Sequence, residues 1–197
     1  MKKQITAQIM ISLISFFLMG CMASSTVENG YGDYTLYECD YKALSLNTQI
    51  TTVVDGSEVC IKGDVFRLAT DPLEMTDKNG NVLATASDTY NLFSQDDHGI
   101  EVDGNIELIM QGNFDAFLNA YKLFNADGEE IGYAKFGSAR CRGTIYGMDN
   151  EVIANVQKSN PLGYDYNVKI YENNLCSDKA ILMLAASYVS DYVADQE

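Results

Sequence analysis

CSDKAILMLAASYVSDYVADQE, Cys176 to Glu197, closes the chain with a segment that reads as a helix with no polar side. From Ala180 to Ala186 seven apolar residues follow one another. At 3.6 residues per turn that is about two turns, so every face is apolar and something must cover all of it. Ser177 is a good N-cap, and Asp178 in the first turn complements the helix dipole. Beyond Ala186, Ser187, Ser190 and Asp191 recur on one side while Tyr188, Val189 and Tyr192 continue the apolar ones, which predicts that the helix becomes amphipathic as it leaves its cover. The run is far below the roughly 20 apolar residues of a membrane span.

The other end of the chain is built for export. Lys2 and Lys3 precede Ile9 to Leu18, a short apolar run behind a positive start, which is the layout of a secretory signal at residues 1–20. Leu18, Met19, Gly20 and Cys21 resemble the lipobox of bacterial lipoproteins, although Met19 is a less usual residue at its position. That resemblance implies cleavage before Cys21, lipidation of its thiol, and a location outside the cytoplasm on the bacterial cell membrane or outer membrane. Residues 21–33 are small and polar, without apolar periodicity, and read as a flexible tether to a single domain at 34–197. Without Lys2 and Lys3 the 28 acidic residues outweigh the basic ones by about 17, a balance that repels nucleic acid and anionic membrane surfaces.

Turn signals between the two ends are evenly spaced. Asp55-Gly56, Asn79-Gly80, Asp103-Gly104, Asp127-Gly128 and the weaker Asp149-Asn150 follow one another at intervals of 24, 24, 24 and 22 residues. Asn-Gly and Asp-Gly accept the positive φ of tight hairpins, so five hairpins and about ten strands are expected. The flanking segments alternate: Val59 and Ile61 against Glu58, Cys60 and Lys62; Ile106, Leu108 and Met110 against Glu107 and Gln111; Tyr164, Tyr166, Val168 and Ile170 against Asp165, Asn167 and Lys169. Strands near Leu44 to Ile50 and Tyr164 to Tyr171 bring the count to about twelve, more than an open twisted sheet usually carries. The expected fold is therefore mainly β: a closed antiparallel barrel of about twelve strands built from consecutive hairpins. Such a barrel is too wide for its own side chains to fill, and the hydrophobic C-terminal helix fits through its centre.

Three stretches carry a family resemblance: FRLATDPLEMTDKNGNVLATA (Phe66 to Ala86), YKLFNADGEEIGYAKF (Tyr121 to Phe136) and SDKAILMLAASYVSDY (Ser177 to Tyr192). In their order of strand, Asp-x-x-Gly-type turn, strand and last buried helix, they resemble the tubby-like superfamily, which includes LURP-one-related proteins and phospholipid scramblases. The resemblance covers most of residues 42–194 and implies the same barrel. Tubby proteins bind phosphoinositides through a cationic surface; here the one tight basic group is Lys135, Arg140 and Arg142. Scramblase-like proteins carry palmitoylated cysteines and an added membrane segment, and neither is evident after Cys21.

Catalytic patterns are scarce. The chain has one His and no Trp, no phosphate-cradling GxxxxGK[ST] and no GxSxG elbow. His98 lies among Asp96, Asp97, Glu101 and Asp103, a set that could hold a metal or work as acid and base, but reads more simply as a solvated reversal between strands. Asp77, Asn79 and Asn81 have Gly80 at the fourth position of their loop, where an EF-hand needs glycine at the sixth. No cofactor is expected. Cys39, Cys60, Cys141 and Cys176 form an even set that an oxidising compartment allows to pair in three full connectivities. Strand parity turns Cys141 inward and Cys60 outward, which disfavours a bond between those two.

These features favour a non-enzymatic, lipid-tethered binding or structural module whose partner is an unknown envelope component, with no role for nucleic acid. The alternative is a lipid or small-molecule carrier with a lipocalin-like cavity, which the closing helix opposes. A hydrolase comes third, resting on the His98 cluster alone.

Overall fold

A computed structural model describes residues 32–44, 47–64, 72–88, 98–112, 120–137, 142–160 and 163–194. They form twelve strands and one helix: β1 (Tyr34–Leu44), β2 (Asn47–Val54), β3 (Ser57–Asp64), β4 (Leu73–Asp77), β5 (Val82–Asp88), β6 (His98–Val102), β7 (Asn105–Gly112), β8 (Ala120–Phe124), β9 (Glu130–Phe136), β10 (Gly143–Gly147), β11 (Val152–Lys158), β12 (Tyr166–Tyr171) and α1 (Asp178–Ala194). Each strand pairs antiparallel with its neighbours in sequence, and β12 closes on β1, with Tyr34 opposite Tyr171 and Cys39 opposite Tyr166. Closure leaves no edge strand exposed.

The five turn signals make five hairpins, by two different routes. At Asp55-Gly56 and Asp103-Gly104 both residues have positive φ, the two-residue type I′ geometry that Asp-Gly favours. At Asn79-Gly80, Asp127-Gly128 and Asp149-Asn150 only the second residue does, and the loops are longer. There a side chain organises the loop: Asp77 Oδ1 accepts the Asn79 and Asn81 N–H groups at 2.8 and 2.9 Å, and Asn125 Oδ1 accepts those of Asp127 and Glu129 at 3.1 and 2.9 Å. The loop at Asp77 is thus a hydrogen-bonded turn, and its side-chain amides also donate to Asp77.

Two strand assignments differ from expectation. The strand placed at Leu44 to Ile50 straddles the reversal between β1 and β2; the additional strand is β1 itself, whose outward positions Glu38, Asp40 and Lys42 are fully polar. Ile106 does not share the inner face with Leu108 and Met110 but is 46 % exposed. The register with β6 shifts there: Ile100 opposes Leu108, whereas Glu101 opposes Ile106, leaving Glu107 as an extra residue. Such a bulge re-aims side chains. In β3 and β12 alternation holds, with Val59, Ile61, Tyr166, Val168 and Ile170 inside.

Every described side chain of α1 from Ala180 to Ser190 is buried inside the barrel. The helix lies closest to β5 and β6 and also reaches β2, β4, β7 and β12. Ala84 and Ala86, the inward residues of β5, are small enough to admit its backbone. Both ends are fastened. At the start, Ala180 N–H donates to Ser177 Oγ at 3.3 Å, while Ser177 donates through its own N–H and hydroxyl to Glu107 Oε2 at 3.0 and 2.7 Å. The bulge at Glu107 is thus what delivers the carboxylate to the helix start. Farther along, the Tyr188 ring stacks on Phe136 at 3.9 Å between centroids, and its hydroxyl donates to the Gly137 carbonyl. Phe136 itself lies over Gly143, where a Cβ would come within 2.1 Å of the ring, so only glycine fits beneath it.

The expected amphipathic character is absent from Ser187 to Ser190; the side chains of Asp191 and Tyr192 lie outside the described ones. Ser187 and Ser190 are buried, and neither hydroxyl has a hydrogen-bond partner among the described residues. The barrel covers this stretch completely, so the polar side has no water to face. These two facts give opposite mutational signs. Leu184→Ala leaves a cavity and should cost about 2 to 5 kcal/mol, whereas Ser187→Ala removes an unsatisfied hydroxyl and should raise stability by about 1 kcal/mol. Urea unfolding midpoints of the two variants check both signs.

Candidate functional site

The barrel presents the reverse of a membrane-spanning barrel. Its inner face is apolar, while outward positions such as Glu38, Asp40, Lys42, Glu58, Lys62 and Glu74 are exposed. A spanning barrel needs an apolar outer band. Among the described residues no helix is long and apolar enough to cross a membrane.

α1 occupies the interior along the described run, and a carrier would need that space. Asp96 and Asp97 lie outside the described residues. His98 is not part of a solvated reversal; it opens β6 and is only 5 % exposed, inward like Ile100 and Val102, because the same alternation governs all three. Glu101 faces outward, and Asp103 sits in the turn at the far end of β6, where its carboxylate meets Lys179 Nζ at 3.1 Å. The described members therefore do not converge, and among the described residues no group of three or more His, Cys, Asp or Glu could hold a metal.

The cysteines are equally scattered. Cys39 is buried on β1, Cys60 lies on the outer face of β3, and Cys176 precedes the helix; all three are free thiols. Cys21 and Cys141 lie outside the described residues. Burial pushes the Cys39 thiol up to about 12. Burial, followed by the nearby Glu107 and Asp178 carboxylates, does the same to Cys176. Neither is activated as a nucleophile. Cys176 borders a shallow open depression of about 360 Å³ with Glu107, Asn173, Leu175 and Ser177. Its polar groups are turned onto the chain: Asn173 Oδ1 accepts the Leu175 and Cys176 N–H groups, and Glu107 accepts from Ser177.

The feature that sequence parity did not bring out is the outer surface from β9 through β10, β11 and β12 to β1. Pairing sets Lys135 opposite Thr144, Thr144 opposite Asn155, Asn155 opposite Lys169 and Lys169 opposite Leu36, one residue per strand. Beside this row run two tyrosine pairs. Tyr133 and Tyr146 stack at 4.8 Å, and Tyr34 and Tyr171 meet edge to face at 5.9 Å. A register shift that leaves Ile153 as the extra residue on β11 separates the pairs. Thr144 donates to Asn155 Oδ1 at 2.9 Å and Asn155 donates to the Tyr171 hydroxyl at 3.4 Å, tying three strands together. Lys135 Nζ stands 5.0 Å from the Tyr133 ring centroid, and Lys169 Nζ stands 4.6 Å from that of Tyr34. Among the described residues neither lysine has a carboxylate within ion-pair reach, whereas Lys122 and Lys179 do.

Charge marks the same region. Residues 131–171 contain five basic and three acidic residues, although the chain as a whole has 28 acidic ones, and β10, β11 and β12 contain no Asp or Glu. That depletion was the available sequence signal; Lys135 and Arg142 of the noted basic group belong to it, and Arg140 lies outside the described residues. The chain matches no family model, no curated protein and no solved structure.

The thiols yield a pH dependence with a definite sign. Cys39 ionises near 9.0 when unfolded and near 12 when folded, so its contribution to stability is complete below about pH 9 and is lost as pH rises towards 12. The urea midpoint should therefore fall above pH 9, and fall less steeply in Cys39→Ala. Equal slopes in the two proteins would remove Cys39 from the effect.

Proposed function

We propose that this chain is a lipid-anchored bacterial envelope protein, tethered through Cys21, whose barrel is a non-enzymatic binding module related to the tubby-like superfamily. The observation that carries the reading is the occupied lumen: with α1 buried from Ala180 to Ser190, the domain offers its outside for contact. The closed twelve-stranded barrel around one C-terminal helix is the architecture on which the proposed tubby-like relation rests. Among the described residues, Glu101 faces outward and Asp103 lies at the far end of β6, so neither joins His98 as general acid and base work would need. Within this reading residues 21–33 are the tether, and the module meets an envelope component while held near the membrane.

The anchor is tested directly. Cys21→Ser should abolish incorporation of labelled palmitate, block signal cleavage before residue 21 and move the protein from the detergent to the aqueous phase on temperature-induced phase separation. Unchanged labelling and partition would sink the lipoprotein reading. For the carrier alternative, a fluorescent fatty acid that binds stoichiometrically and displaces α1, seen as loss of protection of its amides, would replace the binding-module reading.

A further inference from the structure

The outer strip of β9 to β1 combines the lack of Asp and Glu in β10 to β12, two tyrosine pairs and two lysines without a carboxylate partner among the described residues. Adjacent strands lie about 4.8 Å apart, so the five strands give a strip of roughly 19 Å, with Lys135 and Lys169 separated by about 14 Å. Each lysine rests over a tyrosine ring instead of beside a carboxylate. A ring-supported ammonium with no carboxylate partner among the described residues is complementary to an anion. Between the two cations the strip offers a hydroxyl and an amide, Thr144 and Asn155, already oriented by their mutual hydrogen bond. Tyr34, 48 % exposed, and Leu36, 45 % exposed, add apolar surface at one end.

We infer that this strip is a docking site for an anionic polysaccharide, a linear glycan bearing carboxylate or phosphate groups, lying across the strands with its anions at Lys135 and Lys169 and its sugar faces against the tyrosines. The inference rests on the binding-module reading and names its partner class. The ligand's shape follows from what borders the strip. Exposed Glu130 stands at one end of β9 with Glu151 in the adjoining turn, and Glu38 and Asp40 continue β1 outward. A flat anionic bilayer or a nucleic-acid duplex meets those carboxylates together with the lysines and is repelled. A single glycan chain is narrow enough to meet the lysines alone. Protein interfaces, by contrast, deplete charge from their buried centre, while here the cations stand beside each aromatic pair.

The test uses the full chain in a non-ionic detergent, so binding does not depend on whether Cys21 is lipidated, and failure of the anchor reading and failure of this inference are seen separately. Alginate oligomers supply a linear carboxylated glycan, neutral dextran the uncharged control, and isothermal titration the readout. Alginate should bind, added salt should weaken it, and dextran should bind far more weakly. Lys135→Gln combined with Lys169→Gln should weaken alginate binding by about tenfold or more, the scale of a lost charge-assisted hydrogen bond. Tyr146→Ala should weaken it too, in a protein that still unfolds cooperatively at a somewhat lower midpoint, since the stack on Tyr133 is lost. These substitutions lie on the outer face, and the glutamines remove the charge while keeping only the first two methylenes of each lysine stem. No alginate binding, equal binding by the lysine variants, preferential binding to vesicles of anionic lipid, or self-association that the lysine variants abolish would each overturn the inference.

Discussion

A helix that is apolar on every side must be surrounded, and that requirement orders the rest of this molecule. Two packed layers cannot cover all faces of one helix; a sheet closed around it can. Twelve strands make a ring wide enough for a helix, and the helix fills a ring that side chains alone would leave hollow. Each half therefore needs the other. The strands without the helix would expose an apolar lumen, and the helix without the strands would expose a continuous apolar surface.

Position along the barrel axis is set by polar contacts at one end of the helix and by an aromatic stack farther along. Glu107, turned by a bulge in β7, receives the N–H and hydroxyl of Ser177, and Tyr37 of β1 donates to Asp178. Tyr188 lies on Phe136, which in turn lies on Gly143. The fixed partners come from β1, β7 and β9, so the helix holds strands that are distant in the ring to one another. Buried Ser187 and Ser190 show the cost of this arrangement: the barrel covers the stretch completely, and their hydroxyls remain without partners among the described residues.

Much of this was legible because hairpin chemistry is local. Asp55-Gly56 and Asp103-Gly104 announce type I′ turns in two residues, and alternation around Val59, Ile61, Val168 and Ile170 marks the inner face. What was not legible depends on pairing between strands. The bulge that exposes Ile106 and inserts Glu107 is a property of the β6–β7 register, not of the residues NIELIMQG alone. The charged outer positions Glu38, Asp40 and Lys42 concealed the second half of β1, and burial of His98 follows from the face it shares with Ile100. The outer strip was hidden for the same reason: Tyr133 and Tyr146, or Tyr34 and Tyr171, are neighbours only after pairing. Its trace in the sequence was compositional: five basic residues against three acidic ones between Ile131 and Tyr171, in a chain with 28 acidic residues.

An occupied lumen leaves the outside of the barrel for contact, and among the described residues the strands β10 to β12, without Asp or Glu, adjoin the place where Lys135 and Lys169 rest on paired rings. Both statements depend on the helix being an integral part of the folded core. Native-state hydrogen exchange of the backbone amides from Leu182 to Ser190 tests this most directly. If the helix is enclosed, these amides exchange only by global unfolding, with the same opening free energy and the same urea dependence as amides in β5 and β6. Exchange of the helix at a markedly lower free energy than those strands would show that it leaves an intact barrel, and would contradict the account.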